Sequence, residues 1–241
     1  MSMCTILRMR YCPAMDVERY RDEYRDAEIP RHYDGRLHLA ITFGGGSLAL
    51  AACLWQLHAV QPWEWLTVPL SLCYANLAEY LGHRFPMHRP FRGLGIVYKR
   101  HAGQHHRFFN QDSMPIDSLR DLRAVLFPPV LVIFFFGAFA TPVWFALAWL
   151  LSANVAWLFV ACGIGYFLNY EVLHLAYHLP AEHPLARNGL VQRLRWLHAQ
   201  HHDPRLMTSR NFNISYPLCD WLFGTLISAD AGDNVRDSRP A

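Results

Sequence analysis

The chain has 241 residues, 53% of them hydrophobic, with a net charge of +3 and a mean hydropathy of +0.06. This length suits one domain and leaves no room for a second catalytic module. The mean hydropathy is too low for a bundle that lies in lipid throughout, so part of the chain is expected in water. The basic residues are almost all Arg and form no run interleaved with aromatic residues, which argues against a nucleic-acid surface.

Residues 1–36 are polar and charged, and the mixture of Arg, Asp and Glu from Asp16 to Glu28 predicts a helix that lies on the membrane surface. Residues 37–60 and 63–82 are apolar and contain no Lys or Arg. Each of these two stretches matches the roughly 20 residues that cross a hydrocarbon core. Pro62 suits the short turn between two antiparallel spans.

Residues 84–123 are polar, and residues 124–179 are again apolar and long enough for two further crossings. Breaks at residues 141–142 and 152–154 both suit the turn between these crossings, and the sequence leaves the choice open. Residues 180–241 return to a polar composition.

All 22 Lys and Arg lie in three segments, with seven in 1–36, eight in 84–123 and seven in 187–239. Cytoplasmic loops carry the excess of Lys and Arg, so all three polar segments are expected on the cytoplasmic side. The simplest topology has four spans in two hairpins and both termini in the cytoplasm. A soluble protein is disfavoured, because core helices seldom exclude every basic residue over two stretches of this length.

Ten of the 14 histidines fall into four compact groups. The groups are His83 and His88; His101, His105 and His106; His174 and His178; and His198, His201 and His202. Neutral imidazole is the commonest protein metal ligand, and a helix places residues i and i+3 or i+4 on one face. A pair at that spacing can hold one ion, whereas the members of an H-H doublet point about 100° apart and can serve two ions. Ten histidines exceed the needs of one ion, so two ions are predicted.

The spacing from His83 to His88 does not fit a continuous α-helix, and Pro86 lies between them. The helix is therefore expected to end near Gly82 or His83, with His88 returning from a loop. The topology brings all four groups to the cytoplasmic face, since His83 ends the second span and the third group ends the last. The other four histidines have no partner at ligand spacing and are assigned structural or surface roles: His32, His38, His58 and His183.

Three further polar residues are candidate supports for the ligands. Glu79 lies one turn before His83, and Glu171 lies three residues before His174. A metal-bound histidine usually donates its other N–H to a carboxylate or a carbonyl, which Glu79, Glu171 or Asn211 could supply. Direct ligation by the glutamates, or a bond from them to Tyr or Asn in the bundle, are the alternatives.

A site this rich in imidazole suits Fe, Zn or Cu. Two irons would allow dioxygen reduction and attack on an unactivated C–H bond, whereas zinc would allow hydrolysis or a structural role. A site where spans meet the cytoplasm suits a lipid whose tail enters from the bilayer. The alternative class is a histidine-rich membrane metal transporter or metal-binding protein, which would place its ligands along the spans near mid-membrane. An oxygen-independent zinc enzyme is the third class.

The order of the four histidine groups resembles the fatty acid hydroxylase and sterol desaturase superfamily of membrane di-iron oxygenases. The stretch Asn211-Phe212-Asn213-Ile214, followed by Pro217 and Asp220-Trp221-Leu222-Phe223-Gly224-Thr225, resembles the segment that closes that domain. In many members a glycine stands where Asn213 does. The resemblance covers the chain from about residue 40 to residue 227. Carotenoid ring hydroxylases share the ten-histidine plan, but the closing segment fits the sterol and fatty acid branch better.

The resemblance implies two Fe ions, O2 as cosubstrate and the hydroxylation or desaturation of a lipid such as a fatty acyl chain or a sterol-like lipid. A purified protein could carry Zn instead. Electrons are expected from a separate cytochrome b5-, ferredoxin- or reductase-type protein. The sequence itself carries no cytochrome b5 segment, flavin fingerprint or iron–sulfur cysteine pattern.

Together these patterns predict an all-α integral-membrane helical bundle of about four spans, with a cytoplasmic helical cap that carries a histidine-rich dimetal site. Residues 1–36 are assigned to an N-terminal polar or interfacial segment, 37–227 to the membrane di-iron hydroxylase domain and 228–241 to a polar tail. The preference for Arg over Lys suggests a GC-rich bacterium, so a bacterial inner membrane is the expected location.

Overall fold

The computed structural model describes residues 17–227, which form helices joined by turns and contain no β-strand. The α-helices in this range are α1 (Val17–Ala27), α2 (Gly35–Leu39), α3 (Gly46–Trp55), α4 (Thr67–Gly82), α5 (Gly95–Arg100), α6 (His106–Phe108), α7 (Leu122–Val125), α8 (Pro129–Phe135), α9 (Thr141–Leu150), α10 (Ala153–Tyr177), α11 (Gly189–His201) and α12 (Leu218–Leu222). π-Helical turns occupy Ala40–Gly45, His83–Met87, His101–His105 and Phe136–Ala140, and 3₁₀ turns occupy Pro62–Leu66 and Leu119–Asp121. The all-α prediction is confirmed.

Within residues 17–227, three helical stretches are long and apolar enough to cross a membrane: Gly35–Trp55, Leu119–Leu150 and Ala153–Tyr177. Residues 63–82, the second predicted span, are helical but are not among these three. Glu64, Asn76 and Glu79 lower the hydropathy of that region. The count of four spans therefore stays a prediction.

The longest helix, α10, has 25 residues and lies at the centre of the bundle, where it packs against α3, α4 and α9. Its contact with the first span is close, because a Cβ atom at Gly46 would lie 2.6 Å from a methyl carbon of Leu168. Its last turn contacts α11. In α8 and α9, by contrast, no residue is buried, so this hairpin arm faces outward.

The second hairpin turns at residues 151–152. Helix α9 ends at Leu150, and the side chain of Ser152 caps α10 by accepting a hydrogen bond from the Val155 amide at 3.2 Å. The other candidate break lies inside helical chain, where Pro142 directly follows a π-helical turn. A proline there is tolerated because it occupies the first turn of α9.

The tips of the two hairpins are joined by hydrogen bonds. Buried Glu64 accepts from the hydroxyl of Ser152 and from Nδ2 of Asn154 at 3.0 Å. Asn154 also bonds both backbone groups of His58, which fits the structural role expected for that histidine. Both tips therefore lie at the end of the bundle where α10 begins, about 37 Å along the helix axis from where it ends.

Helix α1 packs against α6 through aromatic side chains. Tyr24 meets Phe108 edge-to-face with ring centroids 5.3 Å apart, and both residues are buried. This contact adds α1 to the core of the histidine-bearing end of the molecule. Residues 1–16 of the predicted interfacial segment and the predicted tail, 228–241, lie outside the described residues.

Candidate metal centre

All ten histidines of the four sequence groups are buried, and their rings gather at one end of the bundle. Within the described residues, nine of them form two clusters, called site A and site B. Site A contains His83, His88, His101, His106 and His201, and site B contains His105, His178, His198 and His202. In each site, one ring nitrogen from every histidine lies within 4.8 Å of the others. His174 stands at the edge of site B, with its Nε2 atom 3.3 Å from that of His105.

The spacing of the Nε2 atoms is that of ligands around an ion. In site A, the Nε2 atom of His83 lies 2.7 Å from that of His101 and 3.1 Å from that of His88. In site B, the two shortest separations around His198 are 3.0 and 3.2 Å. Nitrogen ligands about 2.1 Å from a metal and 90° apart would lie about 3.0 Å from each other. The donor geometry therefore fits one ion in each cluster.

Backbone carbonyls orient five of these rings. The Nδ1–H groups donate from His83 to Phe212, from His105 to Ala124, from His178 to Met114, from His201 to Arg210 and from His202 to Phe109. Because a carbonyl can only accept, each bond places the ring proton on Nδ1 and leaves the Nε2 lone pair for a metal. Metal-binding histidines characteristically have such a partner on the second nitrogen.

Burial keeps the rings neutral. It lowers the pKa of His105 and of His201 to about 4, although the carbonyl bond of each ring raises the pKa in part. Burial also holds the pKa of His83, His178 and His202 well below the usual value, with neighbouring histidines contributing. Neutral imidazole is the form that binds metal, so the site is in its ligating state at neutral pH.

The first ligand pair of site A lies on a π-helical turn. Helix α4 ends at Gly82, as predicted, but the chain continues as the π-helical turn His83–Met87 where a loop was expected. A π-helix bonds residues five apart, and this period brings His83 and His88 to the same side. Pro86 is accommodated in the turn, and the two ring centroids lie 4.9 Å apart.

The α-helical spacing would allow His101 and His105 to share one ion, but the structure places them in different sites. The chain from His101 to His105 is another π-helical turn, so His101 pairs with His106, five residues on, and their Nε2 atoms lie 3.1 Å apart in site A. On the regular helix α11, His198 shares site B with the i+4 residue His202, whereas the i+3 residue belongs to site A. Both H-H doublets divide between the two sites, which the sequence had allowed.

The expected support from Glu79, Glu171 and Asn211 takes another form. Glu79 accepts hydrogen bonds from the hydroxyls of Tyr166 and Ser215, each at 2.5 Å, and from two backbone amides. Glu171 and Asn211 bond backbone groups. Their hydrogen bonds do not go to the histidine rings. Backbone carbonyls occupy the Nδ1 position of five rings, whereas the buried Nδ1 atoms of His88, His106 and His198 have no hydrogen-bond partner. For Glu79, the alternative of a hydrogen bond to a tyrosine of the bundle is the one that the structure shows.

The closing segment is folded around the buried carboxylate of Asp220. This carboxylate accepts from the amides of Phe212 and Asn213, at 2.9 and 2.6 Å, and from the Thr225 hydroxyl at 2.6 Å. Asn213 donates to the Asn76 carbonyl at 2.9 Å and accepts from two backbone amides. The motif contained Asp220, but its sequence did not indicate this role.

Two cavities connect the bundle to the histidines. A cavity of about 410 Å³ runs between α4, α8 and α10 and reaches His83. A second, of about 40 Å³, lies beside His101 and His105 of the two sites. Met87 and Val97 line both cavities, so the larger one leads to the metal-binding end.

Comparison with known proteins gave one result. Residues 68–225 match the family model described as fatty acid hydroxylase. This range is more than half of the chain and includes all ten site histidines and the closing segment. Searches among curated proteins and among solved structures found no significant match. The chain therefore belongs to the fatty acid hydroxylase family.

Proposed function

We propose that this membrane protein is a di-iron oxygenase that hydroxylates or desaturates a lipid, such as a fatty acyl chain or a sterol-like lipid. The observation that carries the proposal is the cavity of about 410 Å³, which begins among apolar helices and ends at His83. An apolar chain can follow this cavity to the histidine sites without entering water. Family membership supports an oxidoreductase.

The cavity walls suit an uncharged, apolar substrate. Its volume is within the range of about 300–1,000 Å³ that is typical of small-molecule sites. Many of the lining side chains are aromatic: Tyr74, Phe135, Phe136, Phe139, Phe159 and Phe167. Glu79 is the one carboxylate among the lining residues, and hydrogen bonds occupy both of its oxygens. The wall therefore presents no free charge to a lipid tail.

Sites A and B would hold the two irons through neutral imidazoles, and imidazole also suits zinc, which a purified protein could carry. When bound, the irons would supply dioxygen chemistry, in which one oxygen atom enters a C–H bond and the other is reduced to water by two electrons and two protons. The protein excludes bulk water, since every site histidine is buried. It also fixes the direction of five rings through their Nδ1–H groups.

The electrons would come from a separate cytochrome b5-, ferredoxin- or reductase-type protein on the cytoplasmic side. The three Arg-rich segments support a cytoplasmic location for both termini and for the histidine sites. A bacterial inner membrane is the proposed location.

The test is a lipid profile by mass spectrometry after expression of the wild type and of His88→Ala. The wild type is expected to yield a lipid that has gained one oxygen or lost two hydrogens, and the variant is expected not to. His183→Ala, which changes an exposed histidine outside both sites, serves as the control. An unchanged lipid profile, together with metal uptake into cells that depends on His88, would instead favour the transporter alternative.

A further inference from the structure

Arg21 is a buried cation that bonds backbone carbonyls next to site B. It lies on α1, outside the part of the chain that matches the family model, and only 2% of it is exposed. Its Nε atom donates to the Phe108 carbonyl at 2.9 Å. Its Nη2 atom donates to the carbonyls of Ser113 and Pro115, at 2.8 and 3.1 Å. A buried Arg requires such partners, and all three carbonyls belong to one short segment, residues 108–117, which also supplies the Asp117 carboxylate 3.2 Å from Nη1.

The same segment supports two ligands of site B. The carbonyl of Phe109 accepts from Nδ1 of His202, and that of Met114 accepts from Nδ1 of His178, each at 2.8 Å. The Ile116 amide donates to the His178 carbonyl at 2.8 Å. The Phe109 ring lies against the His178 ring with centroids 4.1 Å apart. The position of this segment therefore determines where both rings point.

The carbonyls held by the guanidinium are direct chain neighbours of the two carbonyls that hold the ligands. Phe108 precedes Phe109, while Ser113 and Pro115 lie on either side of Met114. Peptide units are planar, and only two soft dihedral angles separate one unit from the next. Fixing the neighbouring units therefore restricts the direction of the carbonyl between them.

The rings of site A are oriented by carbonyls from a different part of the chain. The carbonyls that accept from its rings belong to Phe212, in the closing segment, and to Arg210, directly before it, and Arg21 does not bond either of them. From this contrast, and resting on the metal binding proposed above, we infer that Arg21 is a positioning residue for site B. It holds residues 108–117 so that the Nε2 atoms of His178 and His202 converge on the metal position.

The fork of the guanidinium is needed for this role. Arg presents five N–H donors in a plane, so one side chain reaches separate carbonyls, whereas Lys presents its donors from a single point. The Arg21 ring contacts agree with tight placement, since its guanidinium lies 5.1 Å from the Phe108 ring centroid. Arg21→Lys would keep the positive charge and lose most of the hydrogen bonds to the separate carbonyls.

Arg25 provides a matched control one turn later on the same helix. It joins α1 to the same region through the carboxylates of Asp117 and Asp121, at 2.5 and 2.9 Å. None of its bonds goes to a carbonyl next to a ligand support. Arg25→Gln therefore weakens the attachment of α1 without releasing the carbonyls that Arg21 holds.

The experiment measures iron(II) binding to the purified full-length protein by metal analysis and chelator competition. Arg21→Gln and Arg21→Lys are expected to weaken one of two metal equivalents by about 10–100-fold, as loss of a ligand-orienting partner typically does, and to leave the other unchanged. Arg25→Gln is expected to retain both. Combination with site variants assigns the loss: Arg21→Lys should weaken the equivalent that remains in His88→Ala and leave unchanged the one that remains in His198→Ala.

Equal weakening of both equivalents, equal weakening by Arg25→Gln, or wild-type affinity in both Arg21 variants would overturn the inference. If Arg21→Gln does not fold, Arg21→Lys carries the comparison, because it retains the buried charge. Lipid oxidation is not part of the readout. A wild type that binds two equivalents but leaves lipids unchanged would contradict the proposed oxygenase and leave the role of Arg21 standing.

Discussion

The carboxylate of Asp220 accepts a hydrogen bond from the Phe212 amide at 2.9 Å, and the carbonyl of the same Phe212 accepts from Nδ1 of His83. Asp220→Asn would turn an NH2 group toward one of the two amides it serves, and an unsatisfied buried donor costs about 1–3 kcal/mol. We expect a lower melting temperature and weaker metal binding at site A. Metal analysis and thermal unfolding measure both. Asp112→Asn, on an exposed residue, should match the wild type, and equal behaviour of the two variants would contradict this role.

Single ligand variants should separate the two sites. His105→Ala removes a ligand of site B and His201→Ala removes one of site A, so each is expected to lose one of two metal equivalents and to lose oxygenase activity. Metal content per chain and product yield are the measurements. His183→Ala should keep both. If both site variants retain two equivalents, the ligand assignment is wrong.

The metal-free protein should be sensitive to mild acid. The pKa of His105 and of His201 is about 4 in the folded protein, against an ordinary value of 6.5. As the pH falls from about 6.5 to 4, these two histidines bind protons in the unfolded chain but stay neutral in the folded protein. The free energy of unfolding should therefore fall by about 1.4 kcal/mol per pH unit for each such histidine. The test is to measure the free energy of unfolding between pH 7.5 and 5 after a chelator has removed the metal. His105→Ala is expected to show a shallower dependence of this free energy on pH. A stability independent of pH would refute the prediction.

Filling the larger cavity should block the substrate and spare the metal. Ala78 lines the cavity wall, and a phenylalanine there would displace a lipid chain at a cost of about 1–3 kcal/mol, which corresponds to a loss of about fivefold or more in product. Ala52→Phe makes the same change at an exposed position on α3 that lines neither of these cavities. Product yield and metal content should distinguish the two. Full activity in Ala78→Phe would place the substrate elsewhere.

Reporter fusions test the direction of insertion. A fusion at the C-terminus should report the cytoplasm, because residues 187–239 carry seven basic residues. A fusion after Val60 should report the opposite side, since Gly35–Trp55 then forms the one span before it. Both fusions reporting the same side would contradict the hairpin topology.

The sequence was sufficient to identify the ten clustered histidines, because imidazole ligands are rare enough that their grouping is informative. It did not predict how they divide. The assignment assumed α-helical periodicity, whereas His83 with His88 and His101 with His106 are joined across π-helical turns. The five-residue spacing occurs twice among the ten site histidines and could have indicated that period.

The supports for the ligands could not be predicted, for a physical reason. Backbone carbonyls hold the Nδ1–H groups, and a carbonyl has no side-chain signature in the sequence. In the sequence, Arg21 cannot be distinguished from the other charged residues of a surface helix, and its partners lie 87 to 96 residues away in the chain. Only the folded arrangement of α1 on residues 108–117 gives it a role.

Each H-H doublet contributes one ring to site A and the other ring to site B. At both doublets, the two metal positions are therefore bridged by a single peptide unit, whose Cα atoms are about 3.8 Å apart by covalent geometry. This short covalent link limits how far apart the two sites can move. Substitutions elsewhere in the bundle can alter how well each site holds an ion, but they cannot separate the two sites beyond the reach of these doublets.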